Sequence, residues 1–397
     1  MNNNEIVVVD YEVTCGAGLG LQAVRQSLRE QSSGLRQNDL PHSGLATWIG
    51  KVPMLDSFRW NQDQEQWISR NNALSQLALN QGSLLDTFTT LRDRFPGHRV
   101  GLIVGSSTSS IDRSESAYRN LSQDDTLNDA YRQEYVLNPH APGLFIADYL
   151  GIYGPNMTIS TACSSSAKVF ASAARWLHNG LVDVVLVGGC DTLCLSVLHG
   201  FHALQLVSPQ PCKPFDIHRD GINLGEAGAF AILARGSDVK DHSGITFSGY
   251  GESSDAHHMS HPHPDGEGAR LAIDKALTSA GLNAEQIGYI NLHGTASRAN
   301  DTIEGKLIGK LFPASTRASS TKGWTGHTLG AAGIVEAIIA IDSLVTGLVP
   351  GTLHLQELDP EIGIEMTCEN AIASINHAMS NSFGFGGNNA ALIFSKV

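Results

Sequence analysis

Membrane-spanning and secretory features are missing from this 397-residue chain. No uncharged apolar run approaches the roughly 18 residues that a membrane span requires, and the best candidate, residues 181–190, carries Asp183. Residues 1–5 are polar, with no basic stretch followed by an apolar one, so we expect no secretory signal. The chain has only six cysteines and no CxxC pair, which favours reduced thiols in a cytoplasmic protein over a disulfide framework.

Basic residues are also scarce. Lys and Arg number 26 against 39 Asp and Glu, and the net charge of −13 opposes nonspecific binding to nucleic acid or to an anionic membrane. The chain has no P-loop, no GxGxxG between a strand and a helix, and no HExxH, so these motifs predict neither a nucleotide nor a metal cofactor. A hydrophobic fraction of 42% excludes disorder as the main state.

Strand-like and helix-like segments alternate along the chain. Continuous Val, Ile and Leu runs are typical of strands that are covered on both faces, and helical patterns separate them. This order predicts an α/β fold with helices packed on sheets. A strand near residue 5 and a similar strand near residue 245 open two unequal halves. The predicted strands include 5–10, 100–105, 182–188, 287–292 and 390–394, and the predicted helices are 164–179, 268–280, 301–311 and 331–346.

One cysteine lies where a helix is predicted to begin. Cys163 stands in ISTACSSSA at 159–167, between an apolar stretch and an Ala-rich helix. Free backbone N–H groups and the helix dipole at such a position favour a thiolate, which is the nucleophilic form of cysteine. The alternative reading is a small, buried core residue, the usual role of a free cysteine.

Two histidines lie in glycine-flanked turns. His293 follows a predicted strand in INLHGT, and His327 precedes a predicted helix in TKGWTGHTLGAAG. A single histidine is usually a structural residue, but active-site groups often stand at strand ends. Together with Cys163, these histidines predict a nucleophile with two imidazole hydrogen-bond donors.

A second histidine-rich segment, SSDAHHMSHPHPDG at 253–266, suggests a metal site. It holds His257, His258, His261 and His263, but it lacks a cysteine pair and the HExxH spacing, and its two prolines predict a loop. We therefore predict no metal site, and keep a noncatalytic metal- or ligand-binding scaffold as an alternative function.

Six segments stand in a fixed order along the chain: TACSSS at 161–166, KPFDIHRDG at 213–221, SSDAHHM at 253–259, HGTASRANDTIEG at 293–305, KGWTGHTLGAAG at 322–333 and NSFGFGG at 381–387. In this order they resemble the β-ketoacyl-acyl-carrier-protein synthases, the condensing enzymes of the thiolase superfamily. The two histidines are similar to the elongating type, because the initiating type has Asn in place of the second. A thiolase acting on coenzyme A would carry a second catalytic cysteine near the C-terminus, and FGFGG has none.

The resemblance implies a five-layered αβαβα, thiolase-like fold made of two pseudo-repeated halves. Residues 1–245 would form the N-terminal half with the nucleophile, and residues 246–397 the C-terminal half with both histidines. It implies a dimer, either of identical subunits or with a related condensing-enzyme-like subunit. An acyl carrier protein would deliver substrates on its phosphopantetheine arm, and no other cofactor would be needed.

The resemblance also implies roles for the matching residues. Cys163 would accept the acyl group, and its backbone N–H together with that of Phe385 would form the oxyanion hole. His293 and His327 would bind the malonyl thioester carbonyl before its decarboxylative condensation with the acyl chain. Lys322 would support this array.

Further positions carry roles by the same resemblance. Glu304 would form a charged pair with Lys322, and Phe385 would gate the acyl pocket. Thr295 and Ser297 would hold the pantetheine arm.

The chain departs from the family pattern at several positions. Ser297-Arg298 replaces the usual Thr-Pro, and Asn388 replaces the usual Thr after FGFGG. Thr108 stands where a bulky apolar residue tends to line the acyl pocket. This favours a polar or unsaturated chain, in fatty-acid, polyene or polyketide-type synthesis.

Two questions about partners stay open at this point. A noncatalytic subunit of the chain-length-factor type typically loses the nucleophile, whereas this chain has it and would be the active member of such a pair. Because the chain is itself acidic, docking of an acidic carrier needs a local basic patch, for which Lys213, Arg59 and Arg70 are candidates.

Overall fold

A ten-stranded mixed sheet runs through the protein in the computed structural model, which describes residues 5–121, 126, 138–366 and 368–397. The strands form where β-branched and aliphatic residues run without interruption; every residue of Val100–Gly105 and of Val184–Asp191 is buried. The strands are β1 Ile6–Cys15, β2 Leu35–Gln37, β3 Trp48–Gly50, β4 Val100–Gly105, β5 Asn156–Ile159, β6 Val184–Asp191, β7 Leu224–Gly225, β8 Ala227–Arg235, β9 Ile245–Ser254, β10 Tyr289–Asn291, β11 Arg317–Ser319, β12 Leu348–Val349, β13 Ala371–Ile372, β14 His377–Gly384 and β15 Asn388–Lys396.

The helices described here occupy most of the segments between the strands. Their bounds are α1 Leu21–Glu30, α2 Arg70–Leu79, α3 Leu84–Arg94, α4 Ile111–Arg119, α5 Ala141–Leu150, α6 Ser165–His178, α7 Leu195–Ala203, α8 Glu267–Ala280, α9 Arg298–Leu311, α10 Lys322–Thr325 and α11 Ala332–Thr346.

The large sheet consists of two five-stranded parts with one topology. One part consists, in chain order, of β1, β4, β5, β6 and β8, and the other of β9, β10, β11, β14 and β15. In each part the first strand pairs antiparallel with the fifth, and the fifth pairs antiparallel with the fourth. The fourth strand pairs parallel with the second, and the second parallel with the third. The two parts join where Val7 and Val8 of β1 pair with Thr246 and Ile245 of β9.

The core separates the elements into five layers. One apolar cluster combines α6 and α11 with the facing sides of both sheet parts, including Val185, Val187, Ala390 and Leu392. A second cluster joins α2, α3 and α5 to the other side of the first part, and a third joins α8 and α9 to the other side of the second part. The predicted αβαβα order with two pseudo-repeated halves is confirmed. The division between residues 245 and 246 as a domain boundary stays a prediction.

The middle layer contains one segment, Leu329–Thr346, that is long and apolar enough to cross a membrane. Of its residues, 89% are buried inside the protein, which is typical of a core helix.

Candidate active site

Cys163 lies in a tight turn between β5 and α6. The preceding Ala162 has φ of 52°, a left-handed conformation, and its carbonyl accepts the Ser165 N–H and hydroxyl at 3.1 and 2.6 Å. This turn directs Cys163 to the N-terminal end of α6, whose first residue is Ser165. The cysteine is 5% exposed.

His327 approaches the sulfur from the second sheet part. Its Nε2 atom lies 3.1 Å from Cys163 Sγ. The opposite ring nitrogen, Nδ1, accepts the backbone N–H of Leu329 at 3.2 Å. Because Nδ1 acts as an acceptor, we assign the proton to Nε2, which makes Nε2–H the donor that faces the sulfur.

His293 follows β10 and lies across the same space. Its ring is nearly perpendicular to that of His327, with centroids 5.5 Å apart and an interplanar angle of 88°. The backbone N–H groups of His293 and Gly294 both donate to the Glu304 carboxylate, each at 2.8 Å. Among the residues described, none bonds to the buried His293 Nδ1. Glu304 therefore fixes the turn that carries His293.

Burial sets the protonation states of this group. It lowers the pKa of His293 and of His327 well below the ordinary value, and the nearby Lys322 charge lowers both further. Burial raises the pKa of Cys163 to about 11, although the Phe385 N–H and Lys322 oppose this shift. These shifts favour a thiol at Cys163 and neutral imidazoles at His293 and His327 before substrate binds. The helix N-terminus, which by sequence favours a thiolate, is opposed here by desolvation of the buried sulfur.

Lys322 has a different partner from the predicted one. Its ammonium donates to Glu336 and to the backbone carbonyl of His293. Lys322 and Glu336 are both almost fully buried, and burial raises the pKa of Glu336 to about 7. The predicted charged pair of Lys322 with Glu304 is corrected to one with Glu336, since Glu304 instead accepts the two backbone N–H groups.

A cavity of about 470 Å³ opens in front of the three reactive groups. Thr295 and Ser297 line it and share a hydrogen bond of 2.9 Å, and Arg298 adds an exposed cation. The predicted pantetheine-binding hydroxyls and the unexpected arginine therefore border the space in front of Cys163, His293 and His327. The cavity is also lined by Phe201, Gln205, Asp220 and His261.

Phe385 combines the two predicted roles in one turn. Its backbone N–H faces the Cys163 sulfur, while its ring packs against Phe201 at a centroid distance of 5.5 Å, and both rings line the cavity. Gly384 permits this approach, because a Cβ there would lie 3.1 Å from Thr161 O and 3.2 Å from Ser164 N. The arrangement is suited to an oxyanion hole beside an aromatic wall.

Thr108 lies apart from the other predicted residues. Its backbone N–H and hydroxyl both donate to Asp191 Oδ1, at 3.0 and 2.7 Å, and Thr108 does not line the cavity. Its hydroxyl is thus directed at Asp191, and the place of Thr108 in the acyl pocket stays a prediction. Arg70, a docking candidate, bonds to Glu226 and Asp56 and is only 20% exposed, which removes it from a free basic patch.

Within the described residues, the three reactive groups also form the one cluster with metal-ligand spacing. Their ligand atoms lie within 4.8 Å of one another. The neighbouring Lys322 ammonium opposes a cation there. In the histidine-rich loop, the Nδ1 atoms of His258 and His261 approach to 3.2 Å on an exposed surface, and the part of the chain that the structure describes adds no third His, Cys, Asp or Glu ligand to them.

Two buried acids were not predicted. Glu336 and Asp342 are the charged residues of the mostly apolar helix α11, and Asp191 ends the buried strand β6. Glu336 and Asp191 are each flanked by apolar or small residues, and this was the available signal, because an acid so placed needs buried partners.

Comparison with known proteins agrees with the geometry. Residues 3–239 match the family described as beta-ketoacyl synthase, N-terminal domain, and residues 245–356 match beta-ketoacyl synthase, C-terminal domain. The 3-oxoacyl-[acyl-carrier-protein] synthase 2 of Vibrio cholerae is 34% identical, over 84% of this chain and 86% of that protein. Nodulation protein E of Rhizobium meliloti is also 34% identical, and the alignment covers 100% of both chains.

Solved structures share the whole fold. A chain in the complex of the ketosynthase ApeO with its chain length factor ApeC, from Xenorhabdus doucetiae, has a TM-score of 0.88 and 35% identity over 99% of this chain and 98% of that chain. The complex of a type II PKS acyl-carrier protein with its ketosynthase, AntDE:AntF, has a TM-score of 0.85 at 21% identity, over 99% of both chains. Structurally similar ketosynthases thus form complexes with a carrier protein and with a chain length factor.

Proposed function

The chain belongs to the β-ketoacyl synthase family, whose members are acyltransferase-class condensing enzymes, and on this premise we propose how its residues carry out decarboxylative condensation. The observation that carries the proposal is the 3.1 Å separation of His327 Nε2 from Cys163 Sγ, with the His293 ring crossing the same cavity. Nucleophile and donors close enough to act on one bound substrate supply the proximity that this reaction needs.

The first step is transfer of an acyl group to Cys163. The sulfur attacks the acyl thioester of a carrier protein, the bond to the pantetheine sulfur breaks, and the thiol proton ends on that departing sulfur. The backbone N–H groups of Cys163 and Phe385 hold the oxyanion that forms on the way. The Nε2–H of His327 stabilises the developing thiolate.

The second step joins two carbon atoms. Malonyl-carrier loses CO₂, and the electron pair left behind forms an enolate whose oxygen accepts hydrogen bonds from the ring N–H groups of His293 and His327. The enolate carbon attacks the acyl carbonyl on Cys163, the C–S bond breaks, and the thiolate regains a proton from solvent. Neutral imidazoles suit this step, because they donate hydrogen bonds without giving up a full proton.

We propose that the carrier's phosphopantetheine arm enters through the mouth of the cavity. Thr295 and Ser297 line this mouth and are available to its amide groups. Arg298 is the exposed cation of the lining and attracts an acidic carrier despite the net charge of −13. Charge reversal at Arg298 should raise the KM for carrier substrates more than charge reversal at Lys213, which does not line the cavity.

We further propose a cytoplasmic dimer, in which the N-terminal half supplies Cys163 and the C-terminal half both histidines. Among the described residues, strand β5 is the last of the sheet and pairs on one side only, with β4, and the nearby Tyr153 is 88% exposed, which is consistent with a subunit interface. Native mass measurement of the purified chain, alone and with a chain-length-factor-like subunit, separates a homodimer from a heterodimer.

Intact-mass measurement tests the nucleophile and the substrate together. Protein carrying Cys368→Ala, which removes the exposed thiol, is incubated with saturated, unsaturated and polyene acyl-carrier thioesters, with and without Cys163→Ala. One acyl adduct is expected only where Cys163 is present, and its yield ranks the substrates. Adducts retained after Cys163→Ala would refute the assignment.

A further inference from the structure

Asp191 is a buried carboxylate outside the machinery described so far. It ends β6, its exposure is 0%, and it makes no ion pair among the described residues. Burying a carboxylate without a cation is costly unless hydrogen bonds replace its water. Six hydrogen-bond donors surround the two carboxylate oxygens of Asp191, so both oxygens are fully hydrogen-bonded.

The donors come from two separate turns. The turn after β4 supplies the Ser107 N–H at 2.9 Å and the Thr108 N–H at 3.0 Å, together with the hydroxyls of Ser106, Ser107 and Thr108. The sixth donor is the backbone N–H of Gly330, which reaches Asp191 Oδ2 at 2.6 Å. Asp191 therefore fastens a turn of the N-terminal sheet part to the segment that follows His327.

Gly330 is adjacent to the residue that fixes the His327 tautomer. Leu329 donates its backbone N–H to His327 Nδ1, and it does so in a left-handed conformation with φ of 57°. That conformation is strained for a non-glycine residue, so it persists only where neighbouring contacts hold it. The Gly330 bond to Asp191 is the next contact along the chain.

The approach at Gly330 leaves no room for a side chain. A Cβ there would lie 2.6 Å from Asp191 Oδ2 and 2.7 Å from Ser107 N. All the polar atoms that converge on Asp191 are donors, so the position requires a group that only accepts. An amide of the same shape would turn its NH₂ toward at least one of these donors.

We propose that Asp191 is a positioning residue for His327, which it keeps in the Nε2–H tautomer by clamping Gly330 and thereby Leu329. This inference rests on the proposed function. The effect of Asp191 should fall on decarboxylation, where His327 binds the enolate oxygen, more than on acyl transfer to Cys163.

The test compares the two half-reactions in four proteins: wild type, Asp191→Asn, His327→Ala and the double variant. Acylation is followed by intact mass, and CO₂ release is followed with malonyl-carrier on enzyme that is already acylated. We expect Asp191→Asn to slow CO₂ release at least tenfold and acylation less than threefold, with the KM for the carrier unchanged. When it is added to His327→Ala, the Asp191→Asn substitution should change the rate of CO₂ release less than twofold, because Asp191 acts on this step through His327.

Controls separate this inference from its premise. Asp342→Asn removes a carboxylate that pairs with Arg25 away from the site and should leave both half-reactions unchanged. If Asp191→Asn does not fold, Ser107→Ala removes one hydroxyl from the cluster and should slow CO₂ release two- to fivefold, without loss in the His327→Ala background. Equal losses in both backgrounds, or no loss in either, would overturn the proposal, whereas a wild type without condensation would overturn the function itself.

Discussion

The two parts of the sheet share one topology but distribute their chemistry differently. In both, the turn after the second strand is fastened by a buried carboxylate that accepts two consecutive backbone N–H groups. Asp191 holds Ser107 and Thr108 in the first part, and Glu304 holds the second part's turn at residues 293 and 294. Only the second of these turns carries a reacting group, His293.

The turns after the third strands complete the contrast. The first part places Cys163 there, and the second places Lys322 and His327, and the helices that follow, α6 and α11, form the middle layer. The shared topology thus fixes the turns in which reactive side chains can lie, and each half has different residues in those turns. The second half keeps the turn that carries His293 in place with two buried acids, Glu304 and Glu336, whereas the first places its buried thiol beside the small residues Ala162 and Ser164.

The largest expected effect is on the buried charge pair of the second half. Lys322→Met leaves Glu336 buried without its cation, and we expect the free energy of unfolding to fall by about 3–5 kcal/mol at pH 8. Urea denaturation measures this loss. Lys306→Met, at an exposed pair with Glu361, is the matched control and should have almost no effect. A double variant, Lys322→Met with Glu336→Leu, should recover part of the loss; a Lys322→Met protein as stable as wild type would contradict the account.

The free energy of unfolding should depend on pH through Glu304, the carboxylate that holds the turn at residues 293 and 294. Burial raises the pKa of Glu304 from 4.5 to about 7, so the folded protein binds this proton more tightly than the unfolded chain. The free energy of unfolding should therefore fall as pH rises from about 4.5 to about 7, by up to about 3 kcal/mol from this group. Glu304→Gln should flatten the profile in this window and the exposed Glu361→Gln should not. Parallel profiles for wild type and Glu304→Gln would contradict the expectation.

A smaller effect is expected at the mouth of the cavity. Thr295→Val removes the hydroxyl that bonds to Ser297 and keeps the shape of the side chain. We expect the KM for carrier substrates to rise about two- to tenfold with kcat nearly unchanged, which corresponds to about 0.5–1.5 kcal/mol of binding. Steady-state kinetics with acyl-carrier decide this, and Thr316→Val, at a buried threonine outside the cavity, is the control. A loss of kcat alone would remove Thr295 from pantetheine binding.

The smallest effect is expected in the first half. Thr108→Val removes one of the hydroxyl donors to Asp191 and leaves the backbone bonds, so stability should fall by about 1 kcal/mol. Because that hydroxyl does not line the cavity, the ranking of acyl chains in competition assays should stay the same. A changed preference for saturated over polyene chains would restore Thr108 to the acyl pocket.

The buried strands and the three reactive residues were predictable from the sequence, for physical reasons. Strands covered on both faces are long apolar runs, and Cys163, His293 and His327 each stand in a turn flanked by small residues or glycines, a position typical of active-site groups when three such residues occur together. Their convergence on one cavity matches the prediction. The family resemblance supplied the layer order, which alternating segments alone do not determine.

The partners of buried charges were not predictable in the same way. By resemblance Lys322 was paired with Glu304, whereas in the folded protein its ammonium donates to Glu336, which a sequence argument did not single out. The direction of the Thr108 hydroxyl depends on a carboxylate more than 80 residues away. Burial raises the pKa of Cys163, and a helix N-terminus identified from sequence does not include that burial.

The central claim is that Cys163 holds the chain while the two imidazoles serve the carbanion. Rapid-quench measurement of ¹⁴CO₂ release from carboxyl-labelled malonyl-carrier, on enzyme already acylated at Cys163, tests it directly. Removing either donor, by His327→Ala or His293→Ala, should slow release by about 10²–10³-fold while the acyl adduct persists in the mass spectrum. Release at the wild-type rate from either variant would contradict the account.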